Sequence, residues 1–145
     1  MKTALQTGAG KGTAFILLSV LLLMIARPQL ALAHASLVQA RPAPGAVVAT
    51  APTQIELWFN ELLEDGFNSV MVISATEVNL PPGAQHNFAR GTPMLVPGDN
   101  THLRIAVAPL PQGIYAVEWR VLSRDGHSAP GQFNFRVIDG RKLSS

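Results

Sequence analysis

Gly113-Ile-Tyr-Ala-Val-Glu-Trp-Arg-Val-Leu122 and Gly131-Gln-Phe-Asn-Phe-Arg-Val137 decide the fold. Tyr115, Val117, Trp119 and Val121 occupy every second position of the first segment, and Phe133, Phe135 and Val137 do the same in the second. In extended backbone alternate side chains point to one side, so each segment reads as a strand with one apolar face. Upstream, Ile55, Leu57 and Phe59 share a face, and Val70–Ser74 and Thr101–Val107 have the same character, with Leu103, Ile105 and Val107 alternating against smaller or more polar neighbours. Pro-, Gly-, Asn- and Asp-rich segments at 40–45, 80–83, 96–100 and 109–113 separate these runs as turns. Strands therefore recur at the spacing of an all-β sandwich, and no helix of useful length is expected. Leu110-Pro-Gln-Gly-Ile-Tyr115 has the form of a tyrosine corner, in which a tyrosine at a strand start bonds back to upstream backbone. The stretch 77–96 is the least regular and reads as a loop or a weak edge hairpin.

The beginning of the chain has a different character. Lys2 and Lys11 precede the apolar run Thr13-Ala-Phe-Ile-Leu-Leu-Ser-Val-Leu-Leu-Leu-Met-Ile-Ala26, after which come Arg27, Pro28 and the small residues Ala31 and Ala33. A basic start, a short apolar centre and an A-x-A site form the pattern of a secretory signal peptide, and the apolar run is short against the roughly 20 residues that span a bilayer. Residues 1–33 are thus expected to be a leader removed after Ala33, residues 34–138 a single β domain, and residues 139–145 a short tail.

Charge and cysteine content exclude several functions. Lys2, Lys11 and Arg27 leave with the leader, so eight basic residues face nine acidic ones, a net charge of −1. No basic patch interleaved with aromatics remains, which argues against a nucleic-acid partner. The chain has no cysteine. Disulfides, thiolate metal sites and cysteine nucleophiles are therefore absent, and any metal must bind nitrogen, oxygen or thioether sulfur.

Cleavage after Ala33 would make His34 the amino terminus. A terminal histidine offers its α-amine and a ring nitrogen to one metal ion, the chelate known as a histidine brace, which the precursor cannot form because an amide replaces the amine. Some residue must follow Ala33, however, and His34 alone leaves a metal role open. The second feature is Ser123-Arg-Asp-Gly-His-Ser128, between the two strands quoted first. If its backbone is extended, Asp125 and His127 project to the same side about 6.6 Å apart along the strand and can converge on one ion. Alternatively, Asp-Gly is simply the turn of a hairpin.

Together these segments resemble the CopC family of periplasmic copper-binding proteins. The resemblance runs from His34-Ala-Ser-Leu through Pro42-Ala-Pro-Gly45 and Ile55-Glu-Leu-Trp-Phe-Asn-Glu61 to Gly113–His127 and Gly131–Val137. It implies an Ig-like, Greek-key β-sandwich or barrel of about seven strands and a Cu(II) site made by His34, Asp125 and His127. Glu61 matches an acidic family position and is a candidate outer-shell group. The donor set of an amine, two imidazoles and a carboxylate suits tetragonal Cu(II). The family's best-known members carry a methionine-rich Cu(I) loop. After the leader only Met71 and Met94 remain here, with Met71 expected in the core, so a Cu(II)-only protein is expected.

His86 and His102 lie outside any ligand spacing and read as surface residues. The implied protein is a periplasmic monomer for copper homeostasis or resistance, without enzymatic activity, that buffers Cu(II) or delivers it to a CopD-like inner-membrane partner. Two rivals are a copper-dependent oxidative enzyme, disfavoured because Asp125 would close the open coordination position that catalysis needs, and an Ig-like module without tight metal binding.

Overall fold

A computed structural model describes residues 34–138; the expected leader and tail lie outside the described residues. Eight strands follow in order: β1 (Leu37–Arg41), β2 (Val47–Val48), β3 (Gln54–Phe59), β4 (Ser69–Ser74), β5 (Ala89–Val96), β6 (Asp99–Val107), β7 (Gly113–Leu122) and β8 (Ser128–Val137). They form two four-stranded sheets, one in the order β1-β3-β6-β5 and the other β2-β8-β7-β4. No helix occurs among the described residues. The strand beyond the expected seven is β2, a two-residue edge that pairs parallel with β8.

The apolar faces expected from alternation meet between the sheets. Ile55, Leu57, Phe59, Leu103 and Ile105 of one sheet and Val70, Val72, Val117, Val121, Phe133 and Phe135 of the other form one buried cluster. Sandwich cores arise in this way because each sheet has one apolar face that must leave water. Tyr115 closes its corner by donating its hydroxyl proton to the Pro111 carbonyl at 2.7 Å. Burial of the ring pushes the phenol pKa upward.

The second part of the stretch 77–96 is β5, which forms an edge hairpin with β6, one of the two alternatives expected there; they join through Pro97-Gly98, where Gly98 takes the positive φ of 84° that such a turn requires. Two local expectations are corrected. Met71 is not core. Val70 and Val72 point inward, so the alternation of β4 turns Met71 to the outer face, where it is half-buried beside Glu118 and Arg120. His102 is not a surface residue either. Its side chain is 12% exposed, with its ring stacked 4.0 Å from Trp58 and Nε2 3.1 Å from Glu56 Oε1. It faces outward on β6, but register pairing sets it beside Trp58, whose large ring covers it. His86 is exposed, as expected.

Candidate metal centre

The site is built on the hairpin that joins β7 to β8. These strands pair without interruption from Gly113↔Val137 to Leu122↔Ser128. The ladder closes with the Ser123 N–H donating to the His127 carbonyl at 3.0 Å, which leaves Arg124, Asp125 and Gly126 as the loop. Gly126 donates to the Ser123 carbonyl at 2.9 Å and has φ of 90°. A turn followed by a left-handed residue is a standard three-residue hairpin connection, and glycine adopts that conformation without the penalty of a Cβ.

Asp125 and His127 therefore converge by a different route from extended alternation. Asp125 sits in the turn, and its Oδ1 accepts the His127 backbone N–H at 3.1 Å. The buried Ser123 hydroxyl also donates to Asp125 Oδ1. These two bonds, the Ser123 hydroxyl first and the His127 amide second, hold the Asp125 carboxyl down to about 2. The other oxygen, Oδ2, lies 3.1 Å from His127 Nδ1. The hairpin alternative was thus correct for the backbone, and the hairpin itself brings carboxylate and imidazole together.

The segment 60–68 supports this loop from below. Leu63 is fully buried and bridges to Ser123. Glu64 donates to the Leu122 carbonyl at 2.8 Å, and Arg124 donates to the Leu62 carbonyl at 2.9 Å. Asn68 Oδ1 accepts the Leu122 N–H at 3.1 Å. Glu61 is half-buried at the start of this segment and makes no hydrogen bond or ion pair with the hairpin among the described residues.

His34 reaches the same place from the other sheet. Ala35 is buried, and Ser36 is bonded to Asn60 just beyind the end of β3. This path leaves His34 exposed, with its ring 6.0 Å from that of His127, centroid to centroid. Two imidazoles on opposite sides of one metal, at metal–nitrogen distances of about 2 Å, have centroids roughly 6 Å apart. The residues present therefore fit a nitrogen and oxygen site open to solvent. As they stand, however, no group of three or more His, Asp or Glu among the described residues is gathered tightly enough to hold an ion. Asp125 Oδ2 and His127 Nδ1 are 3.1 Å apart, close to the roughly 2.8 Å that separates two adjacent ligands on one ion at metal–ligand distances of about 2 Å.

Sequence reasoning missed two residues here. Ser123 belongs to the quoted motif but was given no role of its own, whereas its hydroxyl anchors Asp125. Asn60 gave no signal, because its partner lies 24 residues away.

Comparison with known proteins agrees with this architecture. Residues 37–138 match the CopC domain family model. Copper resistance protein C of Pseudomonas syringae pv. tomato is 36% identical over 115 residues, covering 74% of this chain and 83% of that one. The copper transport protein CutJ of Bacillus subtilis is 28% identical over 120 residues, 81% of this chain, and the chain spans only 20% of that protein's length. Among solved structures, CopC from Methylosinus trichosporium OB3b superposes with a TM-score of 0.59 at 30% identity, covering 72% of this chain and 93% of that one. PcoC, a copper resistance protein from Escherichia coli, gives a TM-score of 0.57 at 28% identity, with 71% and 99% covered. The fold and the match define a β-sandwich of the copper-handling class. The chain belongs to the CopC family.

Proposed function

We propose that this protein binds Cu(II) in the periplasm through the α-amine and imidazole of His34 together with Asp125 and His127, once residues 1–33 have been removed. It buffers the ion or passes it on and catalyses no reaction. The observation that carries this reading is the approach of the His34 ring to His127 with Asp125 already bonded to His127. A CopD-like inner-membrane protein is the partner in this reading. The Bacillus subtilis relative supports a transporter in that role, since the matching segment is one fifth of a chain named as a copper transport protein. Met71 and Met94 are both outward on separate sheets, Met71 on β4 and Met94 on β5, which supports a site for Cu(II) alone.

The direct test is a Cu(II) titration against a competing chelator, using protein that begins at His34. His127→Ala is expected to weaken binding by more than about a hundredfold, the upper range for loss of even an outer-shell partner. Asp125→Ala should weaken it by roughly tenfold or more. Affinity unchanged by both substitutions would remove the hairpin from the site.

Acid should release the copper while Asp125 is still ionised. The Asp125 pKa is depressed, so its stabilisation of the turn is complete above the usual value of 3.8 and is lost only as the pH falls toward about 2. Imidazoles and α-amines ordinarily take up protons near pH 6.5 and about 8, so competition at nitrogen sets in much earlier. Affinity measured between about pH 7 and pH 4 should fall steeply with no loss of the folded state. A flat profile across that range would mean a site without nitrogen ligands.

A further inference from the structure

We propose that Asn60 is a positioning residue for the amino-terminal ligand, an inference that rests on the Cu(II) site proposed above. Asn60 follows Phe59, the buried last residue of β3. It holds Ser36 at two points: its Oδ1 accepts the Ser36 N–H at 2.7 Å, and its own backbone N–H donates to the Ser36 carbonyl at 3.1 Å. Ser36 in turn donates its hydroxyl proton to the His34 carbonyl at 3.2 Å. A chain of three bonds thus runs from the end of a core strand to the residue that supplies both the amine and the imidazole.

The position of this clamp gives it its importance. The β1–β3 ladder begins only at Leu37↔Phe59 and is irregular between Leu37 and Gln39, so residues 34–36 lie ahead of regular pairing. A freed terminus at such a place frays unless something ties it down. Asn60 extends the pairing by one step, with its side-chain carbonyl doing what a further strand residue would do. A terminus held in place before the ion arrives spares metal binding the entropy of ordering that segment. Ala35, buried between Ser36 and His34, fixes the direction in which the histidine leaves the sheet.

The test uses protein beginning at His34, with Cu(II) affinity by chelator competition, electron paramagnetic resonance of the copper-loaded form, and thermal unfolding without metal. Asn60→Ala is expected to weaken Cu(II) binding by about tenfold, at the lower end of the range for outer-shell partners, and to shift the copper spectrum toward fewer nitrogen donors. Asn60→Asp keeps an oxygen that can accept the Ser36 N–H and should retain the native spectrum. Ser36→Ala, which cuts the second link of the chain, should move affinity in the same direction as Asn60→Ala and provides the test should that variant fail to fold. Native affinity and spectrum in Asn60→Ala and Ser36→Ala would overturn the role of Asn60 and leave the site standing. If the unsubstituted protein binds Cu(II) equally well with an extra residue ahead of His34, the site itself is overturned, and the role of Asn60 with it.

Discussion

Placing one alanine ahead of His34 is expected to lower Cu(II) affinity by at least about a hundredfold, which corresponds to roughly 2.7 kcal/mol. The change leaves every side chain of the domain in place and converts only the α-amine of His34 into an amide. A neutral amide nitrogen is a poor metal donor because its lone pair is shared with the carbonyl, so the chelate ring that His34 closes by itself is lost. The hairpin donors Asp125 and His127 remain, held by Ser123 and the strand ladder, so weak binding should persist. Parallel chelator-competition titrations of the two chains measure the difference directly. Joined to a turnover assay of the copper-loaded protein, the same comparison separates the three functional classes raised by the sequence. A carrier loses affinity, an incidental module shows no tight binding with either terminus, and an oxidative enzyme would turn over substrate in the presence of oxidant when loaded with copper. Equal tight binding by both chains would mean that the terminus is not a ligand.

A second large effect is expected at the packing between the sheets. Gly131 pairs with Trp119 across β7 and β8, and a Cβ on Gly131 would lie 2.1 Å from Trp119 Cζ2 and 2.4 Å from Cε2. The indole cannot easily yield. It meets Phe59 edge-on at 6.1 Å and Phe133 at 5.9 Å, so one aromatic ring on each sheet backs it. Gly131→Ala should therefore destabilise the domain by about 3 kcal/mol, at the upper end of the usual range for overpacking. For a domain of this size the unfolding midpoint should fall by roughly 10 °C. Trp119→Phe in the same background should recover part of the loss, because the smaller ring frees the space that the new methyl group needs. A double-mutant cycle by chemical denaturation measures that coupling. An unchanged midpoint for Gly131→Ala, or additive effects of the two substitutions, would show that the indole moves aside without cost.

Much of the fold was legible because alternation depends on backbone geometry alone. Ile55, Leu57, Phe59, Leu103, Ile105, Tyr115, Val117, Val121, Phe133 and Phe135 are all buried, as the period of two requires. The tyrosine corner was equally local, since Pro111 and Tyr115 are four residues apart. Where the reading failed, the cause was the identity of a neighbour on another strand. Met71 was assigned to the core from its strand character, but only the inward direction of Val70 and Val72 fixes the face of β4. His102 was assigned to the surface because no ligand spacing included it, but its cover is Trp58 on β3, 44 positions earlier in the chain.

The candidate site divides in the same way. By itself the sequence determined the ingredients: a histidine that becomes a terminus if residues 1–33 are removed, a hairpin turn carrying Asp125 and His127, and two apolar-faced strands to hold that turn. Those are properties of residue type and short spacing, and they need no partner elsewhere in the chain. The tertiary structure alone decided that the two halves meet. His34 stands at the head of one sheet and His127 at the end of a hairpin in the other, and their rings approach to 6.0 Å only because the two apolar faces pack into one core. It also supplied a support that spacing cannot reveal, Asn60 behind Ser36. A hydrogen bond between residues 24 positions apart depends on where the chain returns, and that is set by burial of the whole core rather than by any segment read alone.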